Sequence, residues 1–441
     1  MNAATPDAGL HYLEDFTRNK ESLPGRQRPW LVALREAAMR KFLVMGFPTR
    51  HDEDWKYTSV APIEKGGFAL ASGHPADINA VQVEALALPD AHLLVFVDGH
   101  HVPALSRVDA LPSGVSIASL ATLLERRRSG IETQFDSAAS YPSAFTALNV
   151  ACMTDGACIH LARGVRLDAP IHLLFLAATN ALSIHTRNLV LAEAESRAII
   201  VEHHASLGTP TYFTNTVTDI VLGRGAQIEH HKLQQESAKA FHIAAINADL
   251  AGQSRLVSTS FALGGALART DIHAGLNGEG AECTLDGLYV TDGRQHIDHH
   301  TRVDHNVPRG TSRELYKGVL DGASRAVFNG KVVVHPDAQQ SDAAQTNRNL
   351  LLSEHAEIDT KPQLEIWADD VKCSHAATVG QLDAGQVFYL RSRGLDEETA
   401  RALLTYGFAA EMVQRIELPG LRQRLDGLLR AFLPRSLEAF S

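Results

Sequence analysis

The 441-residue sequence predicts a mainly β protein, a right-handed parallel β-helix core flanked by N-terminal and C-terminal helical regions. Three observations predict it: a leucine motif that recurs at near-constant intervals, alternating strand patterns interrupted by glycine, and apolar stripes at helical spacing confined to the two ends. Leu161, Leu191, Leu222, Leu250, Leu276, Leu320 and Leu352 each close an alternating segment and open a turn of small or polar residues. Their intervals are 30, 31, 28, 26, 44 and 32 residues, the range of stacked structural repeats, and the long fifth gap reads as an insertion between Leu276 and Leu320. A single coil of three or four short strands cannot shield its inward face. Stacked coils can, by burying a continuous column of Leu, Ile, Val and Ala. Segments such as Asn188 to Leu191 and Thr218 to Leu222 are too short and too broken by glycine for buried helices. A six-residue period is missing, which counts against the left-handed hexapeptide helix.

The flanking elements follow from local patterns. From Arg28 to Val44, Trp30, Leu31, Leu34, Ala38 and Phe42 form an apolar stripe, and Gly46 with Pro48 ends the helix. Trp55 and Tyr57 read as packing aromatics. Leu93 to Val102 reads as a hairpin turning at Asp98-Gly99, and Val115 to Arg127 as a short helix. After Gly380, Asp396 is a predicted N-cap for a helix carrying Ala400, Leu403, Leu404, Phe408 and Met412. Pro419-Gly420 breaks it, and a second stripe, Leu421, Leu425, Leu428, Leu429 and Phe432, runs to Pro434. These two helices either cap the last coil or offer a groove to another protein. The division expected is residues 1–92 helical, 93–155 a linking α/β segment, 156–380 the β-helix and 381–441 helical again.

The totals exclude several classes of function. Hydrophobic content of 45% and charged content of 21% describe an ordinary globular chain, and a net charge of -10 argues against non-specific binding of nucleic acid. No apolar run reaches the roughly 20 residues that span a bilayer. The start, MNAATPDAGLHYLEDF, lacks the pattern of a secretion signal or transit peptide, and four irregularly spaced cysteines make no disulfide framework, so a cytoplasmic location is expected.

Chemistry concentrates in Pro362 to Gly380, read as two short strands around a turn at Ala368, Asp369 and Asp370. Residues two apart on a strand share a face, so the Cys373 thiol and the His375 imidazole point the same way. From the residues alone they are either a satisfied pair in the final strand or a soft sulfur and nitrogen donor set at the end of the solenoid. Three histidine doublets, His203-His204, His230-His231 and His299-His300, each follow an acidic residue. They read as surface or turn histidines. The competing reading is a metal site, and the 27 residues between the first two doublets would let neighbouring coils stack them. His296, Asp298, His300 and His305 fall in the expected insertion.

The blocks Lys361-Pro-Gln-Leu-Glu-Ile, Val371-Lys-Cys-Ser-His-Ala-Ala-Thr-Val-Gly and Phe388-Tyr-Leu-Arg-Ser-Arg-Gly resemble, in order and spacing, the C-terminal signature of the SufB/SufD family of iron-sulfur cluster assembly scaffolds, on its SufD side. The phrase Gly46-Phe-Pro-Thr-Arg-His-Asp-Glu-Asp-Trp-Lys-Tyr-Thr resembles the same family, so the likeness spans nearly the whole chain. Ala376 departs from it, standing where the family more usually has glycine. The resemblance implies a non-catalytic subunit that pairs end-on with SufB through the two β-helices and binds the ATPase SufC on its C-terminal helical region. It also implies a transient iron-sulfur cluster at that interface, with His375 and then Cys373 as ligands, and reduced flavin (FAD) in the assembled complex. A polysaccharide-active β-helix enzyme and a histidine-based metalloprotein centred on Asp298 to His305 are the rivals from other classes.

Overall fold

The protein, seen in a computed structural model, is described over residues 6–71, 75–108, 111–126 and 143–432. Its strands form two sheets. The first holds β1 Ala69–Leu70, β4 Val115–Ser119, β5 Ala157–Leu161, β7 Leu182–Ala192, β9 Phe213–Leu222, β11 Phe241–Leu250, β13 Leu267–Leu276, β15 His296–His305, β17 Arg325–Val334 and β19 Glu357–Ile366. The second holds β2 His92–Val97, β3 His100–His101, β6 Ile171–Ala177, β8 Arg197–Ser206, β10 Gln227–Gln235, β12 Arg255–Ala262, β14 Glu282–Thr291, β16 Thr311–Leu320, β18 Asp342–Leu351 and β20 Lys372–Gly380. From β5 onward the chain alternates between sheets, and from β7 onward each strand pairs in parallel with the strand two before it. The result is a flattened β-solenoid of about eight turns.

Two features of the predicted coil are corrected. Each turn contains two strands of about ten residues, one per sheet, rather than three or four short ones. Asn188 and Thr218, read as the starts of short strands, lie inside β7 and β9, where their side chains bond each other across the ladder, Asn188 Nδ2 to Thr218 Oγ1 at 3.0 Å. No insertion separates Leu276 from Leu320. Leu276 ends a strand of the first sheet and Leu320 one of the second, so the long interval is a coil and a half. The true successor of Leu276 in register is His305, followed by Val334. A leucine search skips that imidazole.

Between the sheets lies a column of apolar side chains, among them Ile200, Leu222, Ile228, Leu250, Leu256, Leu276, Leu285 and Ile297. Two tyrosines fit there only because glycine faces each. A Cβ on Gly287 would lie 2.1 Å from the Tyr316 ring, and one on Gly318 would lie 2.1 Å from the Tyr289 ring. Each glycine sits directly opposite the tyrosine of the neighbouring strand.

The helices are α1 Pro6–Asn19, α2 Pro29–Met45, α3 Ala61–Lys65, α4 Ala80–Glu84, α5 Leu120–Glu125, α6 Ala144–Cys152, α7 Ala384–Ser392, α8 Glu397–Gln414 and α9 Pro419–Phe432. α1, α2 and α6 cover the outer face of the first sheet, where Tyr12, Phe42, Phe47, Trp55 and Phe145 pack on Phe213, Ile243 and Leu267. α8 and α9 cover the outer face of the second, where Met412, Val413, Leu421, Leu425 and Leu429 meet Val201, Leu233, Phe261, Leu288 and Val319. They neither cap the last coil nor hang beyond it. Asp396 caps α8, accepting the Thr399 N–H at 2.9 Å. The hairpin at Asp98-Gly99 forms as read, both residues having positive φ. The segment read as a helix from Val115 is instead β4 followed by α5, while Arg127 and Pro434 lie outside the described residues. Among the described residues no helix is long and apolar enough to cross a membrane.

Candidate functional site

β19 and β20 are the last strands of their sheets, each paired on one side only. Their free edges present a row of backbone N–H and C=O groups. No residue of β20 is buried, and none of α7 is. Exposed apolar side chains gather around this end: Trp367 at 66%, Phe388 at 72% and Tyr389 at 56% exposure.

Cys373 pairs in register with Ala343, and His375 with Gln345. Both partners are buried, so the thiol and the imidazole project from the side of β20 that continues the lumen. Cys373 is half-buried, packing beside Val332, Val334, Ala343 and Ala368, whereas His375 is exposed. Partial burial raises the Cys373 thiol above its ordinary value. It is therefore protonated at neutral pH, and a bound metal would have to displace that proton. Ala376 lies in extended strand without positive φ, so this position does not need glycine.

The N-terminal phrase of the sequence reaches the same end of the molecule. The Lys361 ammonium of β19 pairs with Glu53. Behind it Arg269, buried on the outer face of the first sheet, donates to Asp298 at 2.9 Å, to both Asp271 oxygens and to the Asp54 carbonyl. Its guanidinium lies 3.7 Å from the centre of the Trp55 ring. Burial alone would lower this guanidinium, yet Asp271 and Asp298 hold it above its ordinary value. Trp55 is thus a packing residue, as its sequence context indicates, with a cation stacked on it.

The histidine doublets are placed differently from expectation. His203, His204, His230, His231 and His299 are all buried, so none is a surface or turn histidine. Nor do the first two doublets stack: β8 and β10 pair with a shift of 30 residues, which sets His230 beside Ile200 and leaves His204 beside Gln234. Alternation sends one imidazole of each doublet into the lumen and the other outward. The Asp298 to His305 group serves the clamp and the core. Asp298 is taken by Arg269, Thr58 and His300, and His305 bonds Ser312 at 2.9 Å. Sequence reasoning also missed a charged pair inside the lumen. Lys232 Nζ lies 3.2 Å from Glu202, which also accepts from His204, His230 and Thr218. Burial alone would raise the Glu202 carboxyl, but Lys232 and the imidazoles hold it well below its ordinary value. The available signal was the 30-residue spacing of Glu202 and Lys232, one coil apart.

The geometry is that of an open-ended solenoid with a thiol and an imidazole on its final rung and helices folded back along its flanks. Residues 175–408 match the family model for the SUF system FeS cluster assembly SufBD core domain, and residues 7–173 match that for the SufBD protein N-terminal region. The chain belongs to the SufBD family of iron-sulfur cluster assembly proteins. It is 36% identical over 403 residues to the iron-sulfur cluster assembly protein SufD of Escherichia coli, covering 90% of this chain and 92% of that one. A SufBD family protein of Synechocystis is 35% identical over 420 residues, 92% of each chain, and Bacillus subtilis SufD is 25% identical over 429 residues, 95% of this chain and 96% of that one.

Proposed function

We propose that this chain is a SufD-type, non-catalytic scaffold subunit of a cytoplasmic SUF complex, completed by a SufB subunit docked on β19 and β20. The observation that carries the reading is the terminal rung itself: an exposed His375 and a half-buried Cys373 beside sheet edges that no described residue of the chain covers. Continuing the sheets into a second solenoid would satisfy those edges and cover Trp367 and Val379. The cluster is cargo, held between subunits. One imidazole and one thiol supply part of a ligand set, and the partner supplies the rest.

The C-terminal region, 381–441, is the docking site for the SufC ATPase, with Phe388 and Tyr389 of α7 as exposed anchors. Closure of two such ATPases would shift the end-on interface as a rigid-body movement and reshape the cluster site. FAD in the assembled complex follows from the family reading. The test is co-expression with SufB and SufC partners, anaerobic reconstitution with iron and sulfide, and comparison with His375→Ala, a change on an exposed position that leaves the fold intact. Loss of cluster content and of transfer to an apo-protein is expected. Unchanged cluster content would remove His375 from the mechanism, and a co-expressed chain that elutes alone on gel filtration would remove the partner.

A further inference from the structure

The apolar column of the lumen gives way to polar side chains on the side where β8 and β10 leave the second sheet for β9 and β11 of the first. His204 lies near the end of β8, Glu236 in the turn after β10, and His242 is the second residue of β11. All three are buried. One ring nitrogen from each imidazole and one carboxylate oxygen all lie within 4.8 Å of one another, the one such trio of His, Cys, Asp and Glu among the described residues. The two imidazole rings meet edge to face with centroids 4.9 Å apart, and His242 Nδ1 is 2.7 Å from Glu236 Oε2.

We infer that His204, Glu236 and His242 form a buried site for a divalent first-row transition ion, Zn2+ or Fe2+, separate from the cluster at the solenoid's open end. Two imidazoles and a carboxylate are a donor set such ions take, with a fourth position left for water. The surroundings are those of a braced ligand set. Glu236 Oε1 accepts from Tyr212 at 3.0 Å and Thr214 at 2.9 Å, and Oε2 accepts from Gln234 at 3.0 Å, which fixes the carboxylate plane. His204 Nε2 lies 2.8 Å from Glu202, and this acceptor-only oxygen puts the proton on Nε2 and leaves the lone pair on Nδ1.

An internal ion pair explains these contacts less well. Both nitrogens of His242 are buried without a hydrogen bond of proper geometry, although Nδ1 lies close to Glu236, and a bound ion would engage one of them. The ion would tie β8 and β10 of the second sheet to β11 of the first across the lumen. It would sit roughly 24 Å from β20, counting five strand spacings of the second sheet. The turn that carries Glu236 reaches the surface at its tip, where Ala238 and Lys239 are exposed.

The experiment uses the full-length chain stripped with a chelator and titrated with Co2+ and then Zn2+. One equivalent per chain, the strong visible absorption of four-coordinate Co2+, and a raised thermal midpoint with Zn2+ are expected. His242→Gln and Glu236→Gln should each weaken binding about tenfold or more, by analogy with losses at other metal sites. Cys373→Ser and His375→Ala should not change it. Absence of stoichiometric binding by the wild-type chain overturns the inference, as does unchanged binding in both folded variants. If neither variant folds, X-ray absorption of the Zn2+-loaded wild type decides: two imidazoles with oxygen support the site, and sulfur or a different histidine number refutes it.

Discussion

Replacing Arg269 by methionine tests how the N-terminal segment is held against the solenoid. Arg269 is 2% exposed, and its strongest partner, Asp298, is 1% exposed. Deleting the cation leaves a buried carboxylate with only Thr58 at 2.5 Å and His300 at 3.1 Å, so the loss falls at the low end of the cost of breaking a buried pair, about 3 kcal/mol. The stacking on Trp55 adds about 1 to 2 kcal/mol because the site is desolvated. The bond to Asp271, whose side chain is 39% exposed, adds roughly 0 to 1 kcal/mol. A total of about 4 to 6 kcal/mol is expected in equilibrium urea unfolding. Trypsin cleavage at Arg50 and Lys56 should accelerate, because those residues flank the released clamp. Arg269→Met combined with Asp298→Asn should regain much of the loss by removing the stranded charge. A single-variant loss under about 1 kcal/mol, or a double variant no better than the single, would refute the reasoning.

Further outcomes are expected from the same geometry. Leu222, 1% exposed and flanked in register by Ala192 and Leu250, cannot be replaced by collapse of its hydrogen-bonded strands, so Leu222→Ala should cost roughly 2–5 kcal/mol by urea denaturation. Burial pushes His172, His185 and His231 down to about 3. In the unfolded chain these groups take up protons below roughly 6.5, so their contribution is complete above that pH and is lost as pH falls towards 3. Glu314, pushed up to about 7 by burial, works the other way, contributing below its unfolded value near ~4.3 and losing that contribution as pH rises through 7. Those three histidines against Glu314 amount to a loss of roughly 2 to 3 kcal/mol per pH unit between about pH 6 and pH 5. His204, His299 and His305, pushed down to about 4 by burial, add to it in the same direction, and a urea midpoint that is flat across that range would sink the assignment.

The solenoid could be read from the sequence because stacking imposes a period, and Leu161 to Leu276 mark one side of it faithfully. The number of strands per coil could not, since both sheets bury each face and their strands lose the clean alternation that sets a strand's ends. Where the column exchanges leucine for His305, a search keyed on leucine jumps to the opposite sheet and invents an insertion. The terminal rung was readable for the opposite reason: Cys373 and His375 lie on one extended strand, and two-residue spacing alone puts them on one side. The Arg269 clamp joins residues more than 200 positions apart, as its bond to Asp54 shows, and no local pattern encodes it. Nor could stripe spacing in α8 and α9 reveal which surface they cover.

The fold-back of those last two helices sets an order of events during synthesis. Successive rungs lie about 30 residues apart in the chain, so the stack can zip up coil by coil as it emerges. The cover for the first sheet, α1 and α2, is made before the strands it shields. The cover for the second is made last, and until α8 and α9 leave the ribosome Val201, Leu233, Phe261, Leu288 and Val319 form a bare greasy stripe on an otherwise finished stack. Nascent chains halted near residue 390 therefore present the species most in need of a chaperone, with more than two hundred residues of solenoid built and one flank still wet.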